Sequence, residues 1–73
     1  MGLGVPGEVV SIHGASAVIE CWGVRRVVAV EKAGETIFPG DYVIAHEGLV
    51  VRRIPRDDVD QTLALYEAVL AEA

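Results

Sequence analysis

Apolar residues along this chain recur mostly in short runs with a two-residue alternation, until a proline near the end changes the period. Val9, Val10, Ser11 and Ile12 follow Pro6-Gly7 and read as a first strand, closed by His13-Gly14. Ser16 to Cys21 reads as a second strand, with Ala17, Ile19 and Cys21 on one face and Val18, Glu20 and Trp22 on the other. Trp22-Gly23 turns the chain into a third strand, Val24 to Val30, whose β-branched run Val27 to Val30 suggests cover on both faces. Gly34, Pro39 and Gly40 punctuate a loop from Glu31 to Gly40. Asp41 to His46 and Leu49 to Ile54 form the last two strands, joined by a Glu47-Gly48 hairpin turn.

After Pro55 the period becomes helical. Asp57 is the expected N-cap, and Val59, Leu63, Tyr66 and Leu70, widened by Leu65 and Val69, form a stripe expected to pack on the strands. The expected fold is therefore mainly β: a small five-stranded, OB-like barrel over residues 1–54 with a C-terminal α-helix over 55–73, together a single domain. Closure suits so small a sheet because it removes exposed edges.

The 73 residues leave room for one domain, and 52% hydrophobic residues are too many for a disordered chain. A net charge of −5 argues against nucleic acid as a partner, since phosphate contacts demand a basic surface. No apolar run reaches the ~20 residues of a membrane span, and no signal-peptide pattern opens the chain. The expectation is a cytoplasmic protein with neither membrane nor nucleic-acid partner.

No enzyme motif stands out, and the chain is not expected to be an enzyme. Ser11, Ser16 and Cys21 lack a neighbouring base and orienter, and Cys21 alternates onto the same face as Ala17 and Ile19, as a buried small hydrophobe would. His13 and His46 are the only imidazoles, without the CxxC or HxxxH spacing of a zinc site. His13 belongs to a solvated turn. His46 ends an apolar strand beside a turn, where a hydrogen-bonded rim histidine is the ordinary reading and a functional one the alternative. The Arg25-Arg26 and Arg52-Arg53 pairs read as solvated strand positions facing nearby acids.

Three blocks, in order, resemble a known family. The opening Met1-Gly2-Leu3-Gly4-Val5-Pro6-Gly7 is similar to the Met-Cys-hydrophobic-small-hydrophobic-Pro-Gly start of the HypC/HupF hydrogenase-assembly chaperones. Gly23-Val24-Arg25-Arg26 resembles their Gly-Val-x-Arg segment, and Gly40 to Gly48 their Gly-Asp-Tyr/Trp-Val-hydrophobic-x-His-x-Gly block. The resemblance implies a chaperone or paralogue acting in NiFe-hydrogenase maturation. Its partners would be a HypD-like scaffold protein and the precursor of the hydrogenase large subunit. It also implies no permanently bound cofactor but transient delivery of an Fe(CN)2CO unit.

By the same resemblance, Gly2, Leu3, Gly4, Val5 and Pro6 form the partner-binding segment, with His46 at the same rim and near the iron. Gly2 stands where the family carries the cysteine that serves both associations, so direct iron ligation lacks its soft thiolate. Glu47 and Leu49 replace an apolar residue and a phenylalanine, which puts a negative charge beside His46. Two other readings keep the barrel. One is a structural or regulatory subunit without metal carriage; the other is a generic OB-type nucleic-acid or ligand module.

Overall fold

A computed structural model describes residues 4–72. Five strands, β1 (Val5–His13), β2 (Ser16–Cys21), β3 (Val24–Ala29), β4 (Tyr42–His46) and β5 (Leu49–Ile54), close into a barrel in the order β1-β2-β3-β5-β4. Three consecutive hairpin-linked strands, with the fourth returning beside the first, make this a Greek key of the OB type. A single 3₁₀ turn (Arg56–Asp58) leads into the helix α1 (Val59–Glu72).

β1 is longer than the sequence pattern suggests. It starts at Val5 and serves two neighbours in turn: Val5 to Glu8 pair with β4, and Glu8 to His13 with β2. A bulge between Val9 and Ser11 lets the strand bend from one partner to the other. Pro6 lies in the segment paired with β4 alone, so its missing N–H costs the β1–β2 ladder nothing.

The core follows the alternation. Val9, Ala17, Ile19, Val43, Val50 and Ile54 are almost wholly buried, each larger side chain stabilising the fold by roughly 1.5–3 kcal/mol. The loop after β3 contributes as well, sending Ala33 and Ile37 into the core. It is tied to the β1 bulge by Val9 N–H to Asp41 O and Gly40 N–H to Val9 O, each 2.8 Å, while the Asp41 carboxylate accepts from the Phe38 N–H at 2.8 Å.

Three expectations need correction. The run Val27 to Val30 is not covered on both faces: Val28 is buried but Val27 is 71% exposed. The reason is the pleat: Val27 pairs with Val18 on the outer face of the barrel, away from the inward Val28, and none of the described elements packs over it. Asp57 is not the helix N-cap; it lies inside the 3₁₀ turn, which Pro55 opens through its carbonyl to the Asp58 N–H at 2.8 Å. The helix stripe is also narrower than its periodicity. Val59, Thr62, Leu63 and Tyr66 are partly covered, whereas Leu65, Val69 and Leu70 are exposed, so the helix meets the barrel only along its first two turns.

Candidate functional site

Pairing of β1 with β4 decides what stands beside His46. Val5 lies opposite Ala45, Pro6 opposite Ile44 and Gly7 opposite Val43; continuing that register by one step sets Gly4 across from His46. The approach is tight. A Cβ on Gly4 would stand 2.8 Å from both the Ala45 carbonyl oxygen and Ile44 Cγ2, so only glycine fits there without displacement. Gly7 is similarly confined, with its virtual Cβ 2.8 Å from Cys21 Sγ.

His46 is the last residue of β4, and its side chain is 39% exposed. The following Glu47 and Gly48 have φ of 53° and 80°, the two positive values that a type I′ hairpin turn requires. This turn brings Glu47 Oε2 to 3.9 Å from His46 Nε2, at the outer limit of an ion pair. The added charge legible in the sequence therefore does stand beside the imidazole.

Next to this corner is a cavity of about 220 Å³ lined by Val5, Arg26, Val28, Ala45, His46 and Glu47, among others. Val5 and His46, both singled out by their sequence motifs, thus face one space. Pro6 belongs elsewhere: it lines a second cavity of about 210 Å³ with Glu8, Trp22, Tyr42 and Leu63, against the helix. Gly2 and Leu3 lie outside the described residues.

The sequence pattern marks Arg26 only as a solvated strand position. In the β2–β3 ladder it pairs with the fully buried Ile19, and paired residues project from the same face. Its side chain therefore starts on the inner face of β3, between Val24 and Val28, where the parting of β3 and β5 leaves room for a guanidinium. An arginine at an inward position of an alternating strand is the signal that could have found it. Among the described residues Arg26 makes no ion pair, whereas Arg25 meets Glu20 at 3.6 Å and Arg53 meets Glu35 at 3.1 Å.

Cys21 is buried at 4% exposure, packed against Gly7. Burial pushes its thiol up, partly offset by the Arg26 guanidinium. A buried thiol biased toward its protonated form is a poor nucleophile and a poor metal ligand. Among the described residues no three His, Cys, Asp or Glu side chains are grouped to hold a metal ion, and no helix is long and apolar enough to cross a membrane. What the corner offers is an imidazole, a guanidinium outside any ion pair of the described residues, and an apolar floor at the end of a bent N-terminal strand.

Comparison with known proteins places the chain in a family. The sequence model of the HupF/HypC family matches residues 1–66. The hydrogenase maturation factor HypC of Helicobacter hepaticus is 34% identical over 71 residues, covering 96% of this chain and 83% of that protein. HypC of Cupriavidus necator is 28% identical over 67 residues, covering 90% and 73%. With its N-terminal strand, its Arg26 and its His46 block all inside the matched region, this chain belongs to the HupF/HypC family.

Proposed function

We propose that the protein is a hydrogenase-maturation chaperone that docks through its N-terminal segment, Gly2 to Pro6, and the adjoining His46 corner. Its partners in this reading are a HypD-like scaffold protein and the precursor of the NiFe-hydrogenase large subunit. The observation that carries the proposal is the β1–β4 register, which sets Val5 and His46 around one cavity in a member of this family. The narrow apolar strand supplies area for a protein partner, and the rim imidazole is a donor that suits iron.

Iron in this reading is cargo. Gly2 supplies no thiolate, and Cys21 is enclosed in the barrel wall. An Fe(CN)2CO unit passing through the complex would therefore take its sulfur ligand from the scaffold protein, while His46 stands close to the transfer point. The test is co-purification of the native chain, Gly2→Cys and His46→Ala with the scaffold protein and with the large-subunit precursor, followed by iron analysis. All three chains are expected to pair with the scaffold, and Gly2→Cys to retain more iron than the native chain. Equal iron retention by the native chain and Gly2→Cys would overturn the assignment of the missing sulfur to the partner.

A second reading has a specific observation in its favour. Glu47, one of the replaced residues, lines the His46 cavity, and Leu49, another, forms the bridge to β3. Changes gathered on one corner are what loss of cargo handling would leave behind in a structural or regulatory subunit. Stoichiometric association with mature hydrogenase, and none with the precursor, would favour that role.

A further inference from the structure

The free edge of β3 borders the His46 cavity through Arg26 and Val27 and carries backbone groups that none of the described strands pairs. Ala29 N–H points away from β2, donating to Gly48 O at 2.9 Å, whereas Val30 N–H points back to Ala15 O at 2.9 Å. In an antiparallel ladder the N–H and C=O of one residue face the same side, and successive residues alternate. Arg25 and Val27 therefore direct their backbone donors and acceptors to the side that β5 has left. β5 meets that side only at Ala29↔Leu49, so the edge ahead of it is unpaired among the described residues.

The side chains along this edge suit a partner of definite character. Val24 and Val27 are 53% and 71% exposed, and the two arginines lie between them. Arg52 on β5 is exposed too, so a chain of net charge −5 carries basic residues on the two strands flanking the gap. In antiparallel pairing with a second copy only residues of like hydrogen-bond direction can stand opposite each other. The central registers therefore set Arg25 against Arg25 or Arg26 against Arg26, a repulsion that disfavours self-association.

We propose that β3 accepts an extended, acidic segment of a partner protein as an added strand. The segment would carry apolar residues opposite Val24 and Val27 and carboxylates opposite Arg25 and Arg26. Main-chain hydrogen bonds to Arg25 and Val27 supply the affinity, and charge supplies the choice of partner, chiefly through Arg26, since Arg25 already meets Glu20 at 3.6 Å. Arginines on an open edge also deter aggregation, and the two roles are compatible. The edge is contiguous with the His46 cavity, but the inference stands on the unpaired backbone groups of β3 and not on the function proposed for that corner.

The test is an NMR titration of the ¹⁵N-labelled full chain with the capped peptide Thr-Val-Glu-Glu-Val-Thr, with Thr-Val-Lys-Lys-Val-Thr as control. The acidic peptide is expected to shift the Arg25 and Val27 amides and slow their exchange, and the lysine peptide to leave them unchanged. Reversing both charges (Arg25→Glu with Arg26→Glu) should weaken binding at least about tenfold. Val27→Pro should abolish it while sparing the β2–β3 ladder, because its N–H faces outward. If Val27→Pro fails to fold, the double charge reversal decides alone. Shifts confined to α1, undiminished binding by the double variant, or no binding at millimolar peptide would overturn the proposal. So would concentration-dependent self-association through β3, which would make a second copy the occupant.

Discussion

Gly4 and Ala45 meet so closely at the β1–β4 seam that a Cβ on the glycine would sit 2.8 Å from the alanine carbonyl oxygen. Gly4→Ala is therefore expected to push the two strands apart and to cost about 1–3 kcal/mol, the usual range for overpacking. Urea denaturation measures the loss. Faster amide exchange at Val5 than at Ile19 would localise it to the seam, whereas an unchanged midpoint would show that the strands yield freely.

Glu47 holds a left-handed φ of 53° that suits asparagine or glycine better than a longer side chain. Glu47→Asn is expected to stabilise the protein by about 0.5–1 kcal/mol, which corresponds to a rise in Tm of a few degrees for a domain of this size. The same change removes the carboxylate 3.9 Å from His46, so partner binding with and without it reports on that charge. A lower Tm would show that Glu47 contributes more through its contacts than its backbone costs.

Cys21 gives the fold an alkaline limit. In the unfolded chain the thiol loses its proton around pH 8.5. Inside the barrel burial pushes that ionisation higher, so the folded state keeps a proton that the unfolded state has released. The resulting contribution to stability is complete below the unfolded value and is lost as pH rises through the folded one. The urea midpoint should fall through this alkaline window, and Cys21→Ala should flatten that part of the profile. Tyr42, also pushed up by burial and by Glu8, acts with the same sign and would account for any alkaline fall that remains.

The two faces of α1 should respond differently to the same change. Leu63 is partly covered and lines the cavity beside Pro6 and Trp22, whereas Leu65 is 62% exposed. Leu63→Ala is expected to lower stability by roughly 1–2 kcal/mol, toward the low end for apolar truncation because the site is only half buried. Leu65→Ala should stay within about 0.5 kcal/mol. Equal effects would mean that Leu65 is covered in solution by something other than this barrel.

Much of the architecture is legible in the alternation. Ala17, Ile19 and Cys21 read as one inward face, and all three are buried; the Trp22-Gly23 and Glu47-Gly48 turns are marked by their glycines. What escapes is decided between strands rather than along them. The early start of β1 escapes because Pro6 and Gly7 look like strand breakers until the pairing with β4 alone is known. The exposure of Val27 depends on whether anything packs over the outer face of β3, which no local pattern encodes. The candidate site divides in the same way. His46, Val5 and Arg26 all fall within the motifs, but the inward placement of Arg26 requires the ladder that sets it opposite Ile19, and the separation of Pro6 into another cavity requires the helix.

The splitting of β1 between two partners also sets an order of events. The pairings of β1 with β2, of β2 with β3 and of β4 with β5 join neighbours in sequence and can form as each stretch emerges. Val5 must wait for Ala45, a partner forty residues downstream (45 − 5), and distant closures of this kind come late because loop entropy opposes them. The His46 corner is thus assembled only when the barrel shuts. A nascent or half-folded copy would lack the finished corner, so under the function proposed above completion of folding would precede binding.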